Sequence, residues 1–168
     1  KEKGSVEFYA FYGNVQWNEY IPKAKTILIK AIYFEKHFTV QHNYYKAFFL
    51  NGGKLRILLP NYNNNNLINE YLPAFPEFQS TDLIEKIKNT EKEIIKKIYL
   101  QYATPTASIE IGFSDSKFSN FNYVIDNKFI FFSVFEYLKQ PYIPAKSPTF
   151  LVKNLEVNDP EHDKEYWV

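Results

Sequence analysis

The stretch from Thr26 to Pro60 limits what this chain can fold into more than any other. It opens on TILIKAIYF (Thr26 to Phe34), a nearly continuous apolar run rich in β-formers. Such a run fits a strand buried on both faces. In VQHNYYKAFFLNGG, the residues Val40, Tyr44, Tyr45, Phe48 and Phe49 recur at helical spacing. Gly52 and Gly53 then supply the left-handed stop that a helix end prefers. KLRILLP, Lys54 to Pro60, reads as a second buried strand. Strand, helix, glycine turn and strand within about thirty-five residues is the scale of a βαβ unit. The expectation is a parallel strand pair with a right-handed crossover, and so an α/β fold.

The flanking segments extend this pattern. VEFYAFYG (Val6 to Gly13) reads as a strand, and NVQWNEYIPKAK (Asn14 to Lys25) as a short helical or irregular link. Asn61 to Asn66 form a polar loop at the carboxyl end of a strand, where open α/β sheets often bind ligands; a plain solvated loop is the competing reading. Ser80 to Leu100 predicts one long amphipathic helix, with Ile84, Ile87, Ile94 and Ile98 as its stripe and Asp82 with Glu85 as a capping box. ASIEIGF (Ala107 to Phe113) alternates like a strand. FNYVI and KFIFFS flank Asp126-Asn127, residue types that suit a hairpin turn. TFLV (Thr149 to Val152) is the last strand expected, after a Pro-rich link and before an acidic tail that holds His162.

Composition narrows the function classes. The 168 residues fit one domain over 1–168, and a formal charge of +1 gives no overall basic field for nucleic acid. There is no Cys, which excludes a disulfide framework, a thiolate metal site and a Cys nucleophile, and agrees with a cytoplasmic location. No apolar run reaches the length of a membrane span. No Met is present either, which suggests an internal start and a domain excised from a larger protein.

The order βαβ, long helix, strand, hairpin, final strand resembles one half of the phospholipase D-like superfamily. Thr26 to Asn61 resemble its first strand, helix and second strand; FNYVIDNKFIFFS resembles its signature strand and turn. The resemblance implies a single half with a central mixed β-sheet flanked by helices, pairing as a homodimer. In active members the signature runs His, any residue, Lys, four residues, Asp, then Gly-Ser and a nearby Asn. The His attacks phosphorus while Lys and Asn hold the phosphate oxygens. On that pattern Asp126 matches the Asp, but Ser119 stands at the nucleophile, Phe121 at the Lys, Ser133-Val134 at Gly-Ser and Glu136 at the Asn. A Phe cannot hold a phosphate, and a Glu would repel one. Some bacterial regulators and defence-related proteins resemble this chain further, with a helix-turn-helix or effector module upstream of a catalytically degraded domain.

The expectation is therefore a non-catalytic sensing or dimerisation domain of a larger prokaryotic protein, with no cofactor and no metal. It would bind a nucleotide or another phosphorylated ligand at Lys30, Ser119, Asn120, Asn122, Asp126 and Glu136. Lys30 is included because a Lys inside an apolar strand is costly and often functional, although pairing with a surface acid is the plainer reading. For Asp126 the plainer reading is a turn residue. A two-His metal site at His37 and His42, near Glu35, was weighed against chance spacing. One rival is an active phosphodiesterase or nuclease, which needs His37 or His42 to meet Lys30 or Lys128 in one pocket. The other is a purely structural interaction module.

Overall fold

The computed structural model describes residues 5–9, 12–134 and 149–153. In chain order its elements are β1 (Ser5–Tyr9), α1 (Trp17–Tyr20), β2 (Thr26–Lys30), α2 (Glu35–Val40), α3 (His42–Leu50), β3 (Lys54–Pro60), α4 (Asn65–Tyr71), α5 (Ser80–Lys92), α6 (Leu100–Tyr102), β4 (Ser108–Ser114), β5 (Asn120–Ile125), β6 (Phe129–Val134) and β7 (Thr149–Lys153). The strands form one mixed sheet in the order β1-β7-β6-β5-β2-β3-β4. β2, β3 and β4 run parallel, and every other pairing is antiparallel. The fold is α/β, with a central mixed sheet flanked by helices.

The expected βαβ unit is present, with the helical part divided at Gln41 into α2 and α3. Gly52 sits at φ +77°, in the left-handed region, and its amide donates to the Phe49 carbonyl. Gly53 lets the chain pass against the Phe48 ring, where an added Cβ would come within 2.4 Å of a ring carbon. A side chain at either glycine would force this turn apart.

Two expectations need correcting. The first strand is five residues long, not nine. After Lys30 the chain leaves the ladder, and Ala31, Ile32 and Phe34 turn into the core instead. Nor are β2 and β3 buried on both faces. Ile27, Ile29, Leu55, Ile57 and Leu59 are wholly buried, whereas Leu28, Lys30, Arg56 and Leu58 between them are half-buried. The period-two alternation continues in β5, where Phe121, Tyr123 and Ile125 point to the core and Asn120, Asn122 and Val124 to the other side. The helices pack on the core face: the Trp17 ring lies 4.9 Å from Tyr123 and from Phe131, and the Tyr45 and Tyr123 hydroxyls meet at 2.8 Å.

The long helix also differs from expectation. α5 ends at Lys92 and continues as a π-helical stretch, Glu93–Tyr99, before α6. Its capping box is set one turn earlier than predicted. Gln79 is the cap, its amide donating to the Asp82 carboxylate at 2.8 Å, and Glu85 takes no part. Thr90, wholly buried on α5, accepts the Phe34 amide at 2.7 Å and so ties the loop after β2 to this helix.

Candidate functional site

The antiparallel register of β2 and β5 sets Lys30 directly opposite Asn122. Asn120 lies two residues along β5 on the same face. Three of the predicted ligand residues therefore meet at one corner of the sheet, on the side away from the helices. That corner is at the carboxyl end of parallel β2, where ligands bind in open α/β sheets. Ser119 is exposed at its rim, just before β5.

The chemistry of the corner is cationic and amide-rich. Lys30 is half-buried, and desolvation holds its ammonium below the ordinary lysine pKa. Its Nζ stands 5.7 Å from the Phe118 ring centroid, a cation–π distance. Among the described residues no carboxylate pairs with Lys30, so the surface-acid reading finds no support there. The Asn120 Oδ1 is shielded from solvent without a hydrogen-bond partner. A desolvated ammonium beside two carboxamides can hold an anion by charge and accept or donate hydrogen bonds around it.

Asp126 does not belong to this group. It stands at the opposite end of β5, where it and Asn127 have φ of 53° and 54°. Its carboxylate accepts the Lys25 and Thr26 amides, both at 2.8 Å, and the Thr26 hydroxyl at 3.3 Å. These bonds pin the hairpin turn to the start of β2. Asp126 is a turn residue with a structural task, and a ligand at Lys30 is beyond its reach. Glu136 lies outside the described residues, as do Tyr137 and His162.

The positions that do chemistry in the resembled family are filled differently here. Phe121 points into the core and stacks on Phe34, with ring centroids 5.3 Å apart at 30°. Phe34 stacks in turn on His37 at 4.3 Å. Ser133, opposite Phe121 on β6, shares a buried hydroxyl contact with Thr149 at 2.9 Å. Phe121 and Ser133 are thus both engaged in packing and hydrogen bonding inside the protein.

The rival arrangement of a His and a Lys in one pocket is not formed. His37 is buried among Trp17, Phe34, Phe38, Tyr45 and Tyr123 on the core face, and burial pushes its imidazole pKa down to about 3. Lys30 is on the other face, and Lys128 is beside the distant hairpin turn. His42 heads α3 and packs on the Tyr102 ring, apart from His37's cluster. Among the described residues no group of three or more His, Cys, Asp or Glu could hold a metal ion. No helix there is long and apolar enough to cross a membrane.

The asparagine loop is built for shape. Asn61 Oδ1 accepts the Asn63 amide, and Asn64 caps α4 by accepting the Leu67 amide at 3.1 Å. Both side-chain amides donate to Asp115, at 2.9 and 3.1 Å, which fastens this loop to the one after β4. Sequence reasoning missed two features. Phe118 was given no role, although it floors Lys30. Nor was KFIFFS asked which residues face which way. Ile130 and Phe132 join Leu28, Val124, Phe150 and Val152 on the face that carries no helix among the described residues, outside the core cluster.

No family model matches this chain, and no curated protein matches it. Among solved structures it is similar to the phosphatidylserine synthase of Haemophilus influenzae Rd KW20, with a TM-score of 0.55 and 14% identity. That match covers 97% of this chain and 37% of the synthase, so the chain spans little more than a third of its neighbour. TrmBL2, an archaeal chromatin protein, aligns over 99% of this chain and 53% of its own, at 18% identity and a TM-score of 0.47. At such identities the likeness to the synthase speaks to the fold alone, and it agrees with the phospholipase D-like fold expected from the sequence.

Proposed function

We propose that this is a non-catalytic phospholipase D-like domain of a larger prokaryotic regulatory or defence protein, with an effector or DNA-binding module fused upstream. It binds a nucleotide or another phosphorylated small molecule at Lys30, Asn122 and Asn120, with Ser119 at the rim, and pairs with a second copy. One observation carries the reading: a desolvated lysine, with no carboxylate partner among the described residues, faces two carboxamides, while Phe121, at the expected phosphate-holding position, is packed into the core.

The test combines hydrolysis and binding on the 168-residue chain. Bis-(p-nitrophenyl) phosphate should not be turned over. Nucleotides and inorganic phosphate should be screened by thermal shift against the wild type and Lys30→Met. A ligand at about 100 times its Kd adds about 2.7 kcal/mol, a rise in Tm of roughly 5–10 °C for a domain of this size. The shift should vanish in Lys30→Met. Hydrolysis abolished by Ser119→Ala would overturn the non-catalytic reading, and a shift unchanged in Lys30→Met would remove the ligand from this corner. The interaction-module reading is favoured by a separate feature, the exposed Val6 and Phe8.

A further inference from the structure

The sheet ends in two edge strands of different character. β4 is blunted on its helix-free face by the Arg56–Glu110 ion pair at 2.8 Å, with Ser108 and Ser114 at its ends. β1 pairs only with β7 among the described residues. On that same face β1 presents Val6 and Phe8, which are 67% and 63% exposed. It has no Pro, no Lys and no bulge to keep the edge from pairing, and its one charge, Glu7, is on the core face and paired with Lys153.

These two residues end two apolar rows. Phe8 lies 5.4 Å from Phe150, which stacks on Phe132 at 5.2 Å. Val6 opposes Val152, Val152 opposes Ile130, and Ile130 opposes Val124. Both rows reach the outer edge of β1 and stop there.

We propose that the outer edge of β1 pairs antiparallel with the same strand of a second copy, across a two-fold axis through Glu7. This register engages the whole of Ser5–Tyr9 and sets Val6 against the partner's Phe8, so the aromatic row of one protomer runs into the aliphatic row of the other. On the core face the axis brings the two Glu7 side chains together. Each is already neutralised by its own Lys153, and Tyr9 donates to it at 3.2 Å. A strand centred in this way is complementary to itself, which singles out a copy of this chain rather than an unrelated strand. The inference deepens the pairing part of the proposed function and stands apart from its ligand part.

Two double variants remove the same apolar pair with opposite consequences. In Val6→Lys/Phe8→Lys, each new lysine faces another across the axis. In Val6→Lys/Phe8→Glu, each lysine faces a glutamate. Light scattering on a sizing column should find a wild-type dimer, a first variant at least about tenfold weaker, and a second variant that still dimerises. A readout independent of those substitutions is Glu7→Cys in this cysteine-free chain. Directly opposed residues have Cα atoms about 4.5–5.5 Å apart, within disulfide range, so mild oxidation should yield a covalent dimer. Ser108→Cys on β4 should yield none. A wild-type monomer overturns both this proposal and the pairing part of the function. A wild-type dimer whose two double variants behave alike, or in which Glu7→Cys does not cross-link, overturns the β1 interface and leaves pairing in place.

Discussion

Asp126→Ala separates the structural role of this residue from any ligand role. The carboxylate accepts two backbone amides at 2.8 Å, from Lys25 and Thr26. Hydrogen bonds to a charged group contribute about 1.5–3 kcal/mol each when sheltered, and about 1 kcal/mol each is a fair discount for this half-exposed turn. Alanine also fits the left-handed backbone at φ 53° poorly, by about 1 kcal/mol relative to Asp. The total is a loss of about 3 kcal/mol, or roughly 6–12 °C in Tm. Asp126→Asn keeps the turn preference and one acceptor oxygen, and should lose about 1 kcal/mol. Urea unfolding is the assay, with the loss appearing in the midpoint at constant slope. Ligand affinity at Lys30 should be unchanged in both variants. A loss under about 0.5 kcal/mol for the alanine variant would refute the clamp, since that is the scatter of ordinary surface substitutions. A stable variant with weakened ligand binding would return Asp126 to the site.

Three further outcomes are expected. Lys30 bears a desolvation cost while charged, and its folded pKa lies below its unfolded value. Between those values the unfolded chain binds more protons, so stability rises with pH there; Lys30→Met should show none of this alkaline rise and should match or exceed the wild type at neutral pH. His37 titrates at about 3 when folded, against an ordinary 6.5. Stability therefore falls as pH drops from 6.5 toward 3, by up to about 1.4 kcal/mol per unit, and His37→Phe should lack that part of the acid limb in urea titrations at stepped pH. Gly53→Ala drives a methyl into the Phe48 ring and should cost about 1–3 kcal/mol in the same assay; a neutral result would show that the turn has room to give.

Much of the fold could be read from periodicity because each apolar position had one main task. KLRILLP became β3 with the expected ends, and Asp126-Asn127 took the left-handed turn expected of them. The errors came where tertiary contacts outbid local pattern. TILIKAIYF is a nearly continuous apolar run, so nothing in it marks Lys30 as the last ladder residue; beyond it the chain is tied to α5 by Thr90, which accepts the amide of Phe34 from fifty-six positions along. Gln79 is a poor cap by propensity, and it serves because Asp82 returns its hydrogen bond.

Which of the expected site residues share a corner could not be read from their spacing, for a reason the strands make plain. A motif spaced as His, any residue, Lys places both chemical residues on one face of a strand, and here those positions are Ser119 and Phe121. Asn120 and Asn122 have the other parity, and so does Lys30 through its register with Asn122. Lys30, Asn120 and Asn122 thus share one side of the sheet as soon as parity is counted, whereas Phe121 faces the other. Phe121 has a packing role on its own side, where its ring stacks on Phe34 within the core. Lys30 is on the opposite face, with no carboxylate partner among the described residues, beside apolar rows that run to β1, which is an edge strand among those residues. Lys30, on β2, stands four strands from β1, roughly 19 Å away at the usual strand spacing, so ligand affinity at Lys30 should not change with protein concentration even where β1 pairs.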